Sequence, residues 1–242
     1  MNRRDLLSGI GSIGAGLVLS GCSDASRSFT AGTKVPQQEK KTKDIEVTAT
    51  EDLMREHGVL RRALFVYSEA AGRLRSKPSA VAPDAIVKTA RLFRAFGEDY
   101  HEKKLEEMFI FPLVKWEGGQ AAGLTDILIA QHNRGREITD YIIAATKAGK
   151  LYSDNIEPLV RAMESMVRMY RAHTAREDTI VFPAWKQTLT AQQLDQMGEK
   201  FEEIEHKQFG RDGFESAVRQ IADIESELGL SELSQFTAPP PK

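Results

Sequence analysis

The sequence predicts an all-α protein built on an antiparallel up-down-up-down four-helix bundle, with one or two additional helices at the C-terminal end. Three observations lead to this prediction. Apolar residues from Glu51 onward recur at the spacing of helices rather than of strands. Segments rich in Gly, Pro and Ser interrupt that pattern at only a few places. The connections between the long helical stretches are short, which favours antiparallel neighbours.

Four long helices and two shorter ones account for most of the chain. Leu53, Leu60 and Leu64 form an apolar stripe on the first helix, and Ile86 and Phe93 belong to a stripe on the second. The breaks between helices fall at SKPSAVAPD, EGGQAAG, KAGKLYSDNIEP and KQTLTAQQ. The pattern predicts helices at about 50–75, 83–115, 123–148, 155–186, 190–208 and 212–228.

These elements divide the chain into consecutive parts. Residues 48–188 are predicted to form the four-helix bundle, and residues 189–230 a C-terminal helical extension. Residues 231–242 are predicted to be a disordered tail, since they end in the proline-rich FTAPPPK.

The first residues are typical of an export signal. Residues 1–21 place Arg3 and Arg4 before an apolar stretch that is too short to span a bilayer comfortably, as in a signal peptide. The stretch ends in LSGC, which resembles the lipobox of bacterial lipoproteins, with Cys22 as the residue that would be lipidated. The alternative is a buried apolar arm with an incidental cysteine.

Residues 22–47 are polar and lack periodicity, which predicts a flexible tether. The arginine pair and the following DLL also resemble a twin-arginine export signal, although Leu6 stands where Phe is usual and no lysine follows. We therefore expect an exported bacterial lipoprotein that is held at the cell membrane, or facing the periplasm, by a lipid anchor on Cys22. Twin-arginine export is a candidate route.

Composition narrows the classes of function. Hydrophobic residues make up 41% of the 242 residues, which is enough for a core of ordinary size. Charged residues make up 28%, but the net charge is only -2, and this balance argues against nucleic acid as a partner, because phosphate binding needs a concentrated positive surface. Cys22 is the only cysteine, and an intramolecular disulfide is therefore impossible.

Four of the five histidines occupy a repeated scheme. The segments YHEKKLEEMFIFP and HTAREDTIVFP place His101 and His173 before a glutamate and a Phe-Pro pair, and His57 and His132 lie in the other two long helices. Two similar hairpins would bring these imidazoles to one level. Burying them with two carboxylates would cost roughly 1–3 kcal/mol or more for each unpaired group. A pair of metal ions is favoured because it supplies the missing positive charge, and these ligand types suit iron, manganese or zinc.

Over residues 50 to about 187 these segments resemble the hemerythrin family, in its bacterial His-His-Glu branch. The resemblance implies a four-helix bundle around a non-haem di-iron centre, with oxo and carboxylate bridges. It implies imidazole ligands at four positions and bridging carboxylates at two: His57, His101, His132 and His173, with Glu106 and Glu177. Two iron ions are the expected cofactor, and manganese or zinc is the alternative.

The spacing of the two repeats differs. His173 and Glu177 are four residues apart, whereas His101 and Glu106 are five apart, which separates two side chains by about 140° around a regular α-helix. Both can face one centre only if the helix contains a π-type bulge or a compromise geometry. Glu98, three residues before His101, is the alternative second carboxylate. We favour Glu106 because it precedes its proline by six residues, as Glu177 does.

A second departure concerns the third helix. Oxygen-carrying relatives have a further histidine four residues beyond the first, and Arg136 stands there in this sequence. Fewer protein ligands leave an open position, which favours reaction or sensing over reversible oxygen carriage. We expect a di-iron protein of the cell envelope that binds or reacts with O2, NO or peroxide as a sensor, scavenger or redox protein.

Three alternatives stay open at this point: metal storage or delivery, repair of iron–sulfur clusters, and a metal-free structural lipoprotein. The export signal argues against cluster repair, because its targets lie mainly inside the cell. Tyr100 and Tyr170 are expected to pack in the core or to support the metal ligands by hydrogen bonds. His206 is expected at the surface or between helices, and the charged runs KKLEE and GEKFEEIEHK on solvated faces.

Overall fold

The computed structural model describes residues 47–147, 149–211 and 213–241. Within these ranges the chain forms six helices and no strand, so the all-α prediction is confirmed. None of the helices in the described part is both long enough and apolar enough to cross a membrane. The predicted signal peptide, the lipobox with Cys22 and the tether up to residue 46 lie outside the described residues.

Two of the six helices are composite, because each changes from α-helical to π-helical winding and back. Numbered in chain order, the helices are α1 (Ala49–Ser76), α2 (Pro83–Leu92, Phe93–Ile110 and Phe111–Glu117 in succession), α3 (Gly119–Thr146), α4 (Ser153–Arg176, Glu177–Val181 and Phe182–Gln187 in succession), α5 (Ala191–Phe209) and α6 (Gly213–Glu227). The middle segments of α2 and α4 are π-helical. Short 3-10 turns lie at Pro78–Ala80 and Leu233–Phe236.

Local sequence explains where several helices begin and end. Thr48 precedes α1 and exchanges hydrogen bonds with Glu51, and Thr190 precedes α5 and does the same with Gln193, so both helices start at a capping box. Between α2 and α3, Gly118 has a φ of 81°, which residues with a side chain rarely adopt. Helix α3 therefore starts at this glycine turn, four residues before the predicted position.

The core lies between the four long helices. Helix α1 packs along α4, α2 packs along α3, and α3 also contacts α4. Large side chains fill the interior, among them Tyr67, Phe93, Phe111, Tyr170 and Trp185, all nearly or fully inaccessible to solvent. Burial of this apolar surface is the main favourable contribution to folding, and it fixes which face of each helix points inward.

Helices α5 and α6 pack against α1 and α2. The guanidinium of Arg62 on α1 donates two hydrogen bonds to Glu225 on α6, at 2.9 and 2.5 Å, a bidentate arrangement with a fixed geometry. Farther along the chain, in the segment predicted as a tail, the ring of Phe236 lies edge-on to Phe65 on α1 with 4.8 Å between centroids. The C-terminal extension is thus attached to the outside of the first two helices.

Candidate metal centre

Each of the four long helices contributes one histidine to a single buried cluster. The four imidazoles are those of His57 on α1, His101 on α2, His132 on α3 and His173 on α4, and no more than 3% of any of them is exposed. They form two pairs: the rings of His57 and His101 are 4.7 Å apart between centroids, and those of His132 and His173 are 4.8 Å apart. The four helices therefore bring the predicted imidazoles to one level.

Glu106 lies between the two pairs of imidazoles. Its Oε1 is 3.3 Å from His101 Nε2, and its Oε2 is 3.3 Å from His132 Nε2. The carboxylate thus presents one oxygen to each pair, the arrangement that a carboxylate bridging two ions requires.

Glu177 occupies the corresponding position on α4. Its Oε1 is 3.0 Å from His173 Nε2 and 3.9 Å from His132 Nε2, and its Oε2 is 3.5 Å from His57 Nε2. Both carboxylates are completely buried. The structure brings together all six side chains that the sequence singled out, and each imidazole faces the centre with its Nε2 atom.

These side chains fall into two sets that could hold an ion. One ligand atom from each of Glu106, His132, His173 and Glu177 lies within 4.8 Å of the others, and the same holds for His57, His101 and Glu106. Glu106 belongs to both sets. The geometry fits two neighbouring cations that share a carboxylate.

The π-helical winding explains the unequal spacing of the two repeats. In a π-helix the N–H of one residue donates to the carbonyl five residues earlier, so residues five apart lie one turn apart on the same side. His101 and Glu106 both lie in the π-helical segment of α2. His173 and Glu177, four residues apart, can face the same side because that stretch of α4 is α-helical up to Arg176. Of the two alternatives that the five-residue spacing left open, a π-type bulge or a compromise geometry, the structure has π-helical winding, and it extends over Phe93–Ile110.

The outward-facing Nδ1 atoms of the four imidazoles are also held in place. His57 Nδ1 lies 2.7 Å from Asp178, His101 Nδ1 2.6 Å from Glu56, His132 Nδ1 2.9 Å from Glu107, and His173 Nδ1 2.9 Å from Gln131. Such contacts fix the tautomer and the ring orientation, so that Nε2 is free to bind an ion.

Sequence reasoning missed these four partners, yet a signal for them exists. Each of them is the chain neighbour of one predicted ligand and contacts another ligand on a different helix. Glu56 precedes His57 and contacts His101, for example, and Gln131 precedes His132 and contacts His173. A polar residue next to a ligand in the chain is therefore a signal for the outer partner of a ligand on another helix.

Glu56, Glu107, Gln131 and Asp178, which contact the Nδ1 atoms, form an outer layer around the centre, and two tyrosines extend it. The Tyr100 hydroxyl lies 3.1 Å from Glu56 Oε1, and the Tyr170 hydroxyl donates to Glu102 Oε1 at 2.7 Å. Both tyrosines also pack in the core, and the ring of Phe209 on α5 lies edge-on to Tyr100 at 5.3 Å. They combine the two roles that the sequence left as alternatives.

Aromatic rings close the centre on two sides. Phe182 stacks on His57 with 5.3 Å between centroids, and Phe111 stacks on His132 at 5.6 Å. These are the phenylalanines of the two Phe-Pro pairs. The apolar rings exclude water from the imidazoles and strengthen electrostatic interactions inside the pocket.

Glu98, the alternative carboxylate, has other partners. Its Oε1 accepts a hydrogen bond from the Thr139 hydroxyl at 2.6 Å, and its Oε2 is 3.0 Å from Arg94 Nε. Burial raises the pKa of Glu98 to about 7. Glu106, and not Glu98, lies between the imidazoles.

Two further residues from the sequence analysis lie outside the six-residue cluster. Arg136 faces Glu102 and Glu107. His206 lies half-buried on α5.

The buried carboxylates of Glu106 and Glu177 favour the binding of a cation. All four carboxylate oxygens of Glu106 and Glu177 are buried and accept no hydrogen bond. Burial raises the pKa of Glu106, but His101 and His132 lower it by more, to well below its usual value. Burial lowers the pKa of His132, but the charge of Glu102, the contact with the Glu106 carboxylate and the hydrogen bond to Glu107 raise it to about 10. The anionic pocket thus retains protons on imidazole unless metal ions supply the charge.

Comparison with known proteins agrees with this geometry. The sequence model of the family described as "Hemerythrin HHE cation binding domain" matches residues 48–185, more than half of the chain. The chain belongs to the hemerythrin family. Membership implies that this domain binds cations, and the buried His/Glu cluster fits such a site.

Relatives of this protein match it over nearly the whole chain. Uncharacterized proteins of Mycobacterium bovis and of two strains of Mycobacterium tuberculosis are each 41% identical over 240 residues, which is 98% of this chain and 91% of each relative. No solved structure matches the chain. The similarity to these relatives includes helices α5 and α6, which lie beyond the part matched by the hemerythrin domain.

Proposed function

We propose that this protein is a non-haem di-iron protein of the cell envelope that binds or reacts with O2, NO or peroxide. In this proposal His57 and His101 would hold one ion, His132 and His173 would hold the other, and Glu106 and Glu177 would contribute ligand oxygens to both. The observation that carries it is the pair of buried carboxylates, each reaching both imidazole pairs. Iron held there would supply redox chemistry and an open position for a small ligand.

The enclosure of the centre supports a very small ligand. The six side chains are almost completely buried, and Phe111 and Phe182 cover two of the imidazoles. Helix α3 adds no second histidine, since Arg136 points to Glu102 and Glu107. This supports reaction or sensing over reversible oxygen carriage, as the sequence suggested. We also propose that α1 to α4 run up-down-up-down, which the glycine turn between α2 and α3 favours.

Metal analysis and spectroscopy test the proposal. We expect the purified, iron-loaded protein to hold two irons per chain and to show an oxo-to-iron charge-transfer band. His101→Ala and Glu177→Ala are expected to lose the band and at least half of the iron, because each removes a ligand that the other residues cannot replace. Glu98→Gln is the matched control: it alters a buried carboxylate of the same helix and should retain both irons.

Less than one metal ion per wild-type chain after iron loading would contradict the di-iron proposal. Titration with NO and with peroxide then distinguishes a reactive metal centre from a protein that only stores or delivers metal. A spectral change with either reagent supports sensing, scavenging or redox function. Rapid exchange with chelators and an unchanged spectrum would instead indicate metal storage or delivery.

The envelope location is proposed from the sequence, because LSGC resembles a lipobox. We expect the full-length protein to fractionate with membranes and to incorporate a fatty-acid label in its native host or another lipoprotein-processing bacterium. Cys22→Ala should lose the label and leave the membrane fraction. Cys22→Ser, the closest match in size, serves as a second variant. A wild-type chain that carries no label and remains in the soluble fraction would contradict the proposal.

A further inference from the structure

The outer partners of the four imidazoles are not equivalent. His57 and His101, the first pair, each face a carboxylate, Asp178 and Glu56 respectively. In the second pair, His132 faces the carboxylate of Glu107, but the Nδ1 of His173 lies 2.9 Å from the side-chain oxygen of Gln131. The amide of Gln131 is uncharged. One imidazole of the four therefore has a neutral outer partner.

The outer partner changes how strongly an imidazole binds a metal ion. A carboxylate that accepts the Nδ1–H draws that proton toward itself and raises the basicity of Nε2. An amide oxygen accepts the same hydrogen bond without a negative charge, so it polarises the ring less. His173 is thus oriented as firmly as the others, but it is the weakest electron donor among the four.

No carboxylate takes the place of Gln131 at the Nδ1 of His173. The charge of the buried Glu102 acts through space on both His132 and His173, but its oxygens accept a hydrogen bond from the Tyr170 hydroxyl and contact Arg136. Arg136 also contacts Glu107, at 2.6 Å. On the other side, Asp178 is likewise paired with an arginine, Arg61. An arginine thus pairs with an outer carboxylate next to each imidazole pair. The remaining difference between the two pairs is that His173 is hydrogen-bonded to the neutral Gln131 and not to a carboxylate.

We infer that Gln131 is a positioning residue that makes the two metal sites unequal. With Glu106 and Glu177 shared by both ions, the ion held by His132 and His173 would be bound more weakly and reduced at a higher potential than the ion held by His57 and His101. This inference rests on the proposed di-iron function. An external one-electron reductant would therefore reduce iron at the second site before iron at the first, because weaker donors stabilise the lower oxidation state.

The test is an equilibrium competition of iron(II) between the protein and a chromophoric chelator, performed without oxygen. Wild-type protein should give two dissociation constants. Gln131→Glu should tighten the weaker one by about 10–100-fold, the range typical of outer-partner changes, and lower the reduction potential of the centre. Gln131→Met, which removes the acceptor, should weaken the same constant. Glu56→Gln is the matched control on the other pair and should weaken the tighter constant.

A purely structural role for Gln131 predicts that every substitution weakens binding, so tightening by Gln131→Glu is the decisive result. Two dissociation constants that Gln131→Glu leaves unchanged, in a variant with the wild-type unfolding temperature, would overturn the inference while leaving the di-iron proposal intact. Failure of the wild-type chain to bind two irons would instead overturn the proposed function itself. Equal constants in the wild type would also contradict the inference.

Discussion

Glu106→Gln is expected to abolish most of the thermal stabilisation that iron gives to this protein. A ligand that binds only the folded state adds about 2.7 kcal/mol when present at 100 times its dissociation constant. In a domain of this size that corresponds to a rise in Tm of roughly 5–11 °C for each ion. Glu106 contacts both imidazole pairs, so its loss is expected to affect both ions. Scanning calorimetry with and without iron measures the effect.

The metal-free proteins provide the second half of this test. Glutamine keeps the shape of Glu106 but removes the buried charge that His101 and His132 stabilise in the metal-free protein. Metal-free Glu106→Gln should therefore unfold at a lower temperature than metal-free wild type, and the iron-dependent shift of each variant is measured against its own metal-free form. Glu98→Gln, as control, should keep the full iron-dependent shift. An iron-dependent shift in Glu106→Gln as large as in the wild type would show that this carboxylate does not hold metal.

Gly135→Ala is expected to destabilise the fold and to disturb the outer layer of the centre. A methyl group placed on Gly135 would lie only 2.0 Å from the hydroxyl oxygen of Tyr170, which is closer than any real contact. Tyr170 is buried and bonded to Glu102, so it cannot move away without losing that hydrogen bond. Overpacking of this kind typically costs about 1–3 kcal/mol. Chemical denaturation of the metal-free protein measures the loss.

Gly123→Ala is the matched control in the same helix. No atom lies within 4 Å of the position that its methyl group would take, so this change should stabilise α3 by up to about 1 kcal/mol. Tyr170→Phe removes the hydroxyl that causes the clash, and the double variant Gly135→Ala, Tyr170→Phe should recover part of the lost stability. Equal effects of the two glycine changes would refute the steric explanation.

The sequence predicted the centre of the site better than its surroundings. Helical periodicity identified the all-α class, and the repeated His-Glu-Phe-Pro scheme, with one histidine in each of the other two long helices, singled out six side chains that the fold brings together. The five-residue spacing between His101 and Glu106 indicated either a π-type bulge or a compromise geometry, and α2 is π-helical at that point. These features are local, because they depend on spacing along a single helix.

The outer layer could not be predicted in the same way, because its hydrogen bonds join residues from different helices. Glu107 lies in the charged run KKLEE, which was expected to be solvated, but it contacts His132 across the bundle. Glu205 lies in the second such run, and it is buried and accepts a hydrogen bond from the Phe214 N–H at 2.6 Å. Both expectations of a solvated face were wrong at these residues, since a charged run does not reveal which neighbouring helix covers it.

The π-helical winding between His101 and Glu106 and the α-helical winding between His173 and Glu177 affect how further members of the hemerythrin family can be recognised from sequence. A search motif that demands one fixed gap between histidine and glutamate would accept His173 with Glu177 and reject His101 with Glu106, although both pairs serve one pocket. The gap therefore records whether the backbone is wound in α or π fashion at that point. A motif that couples each gap to its winding, and counts back six residues from the Phe-Pro proline, would detect both halves.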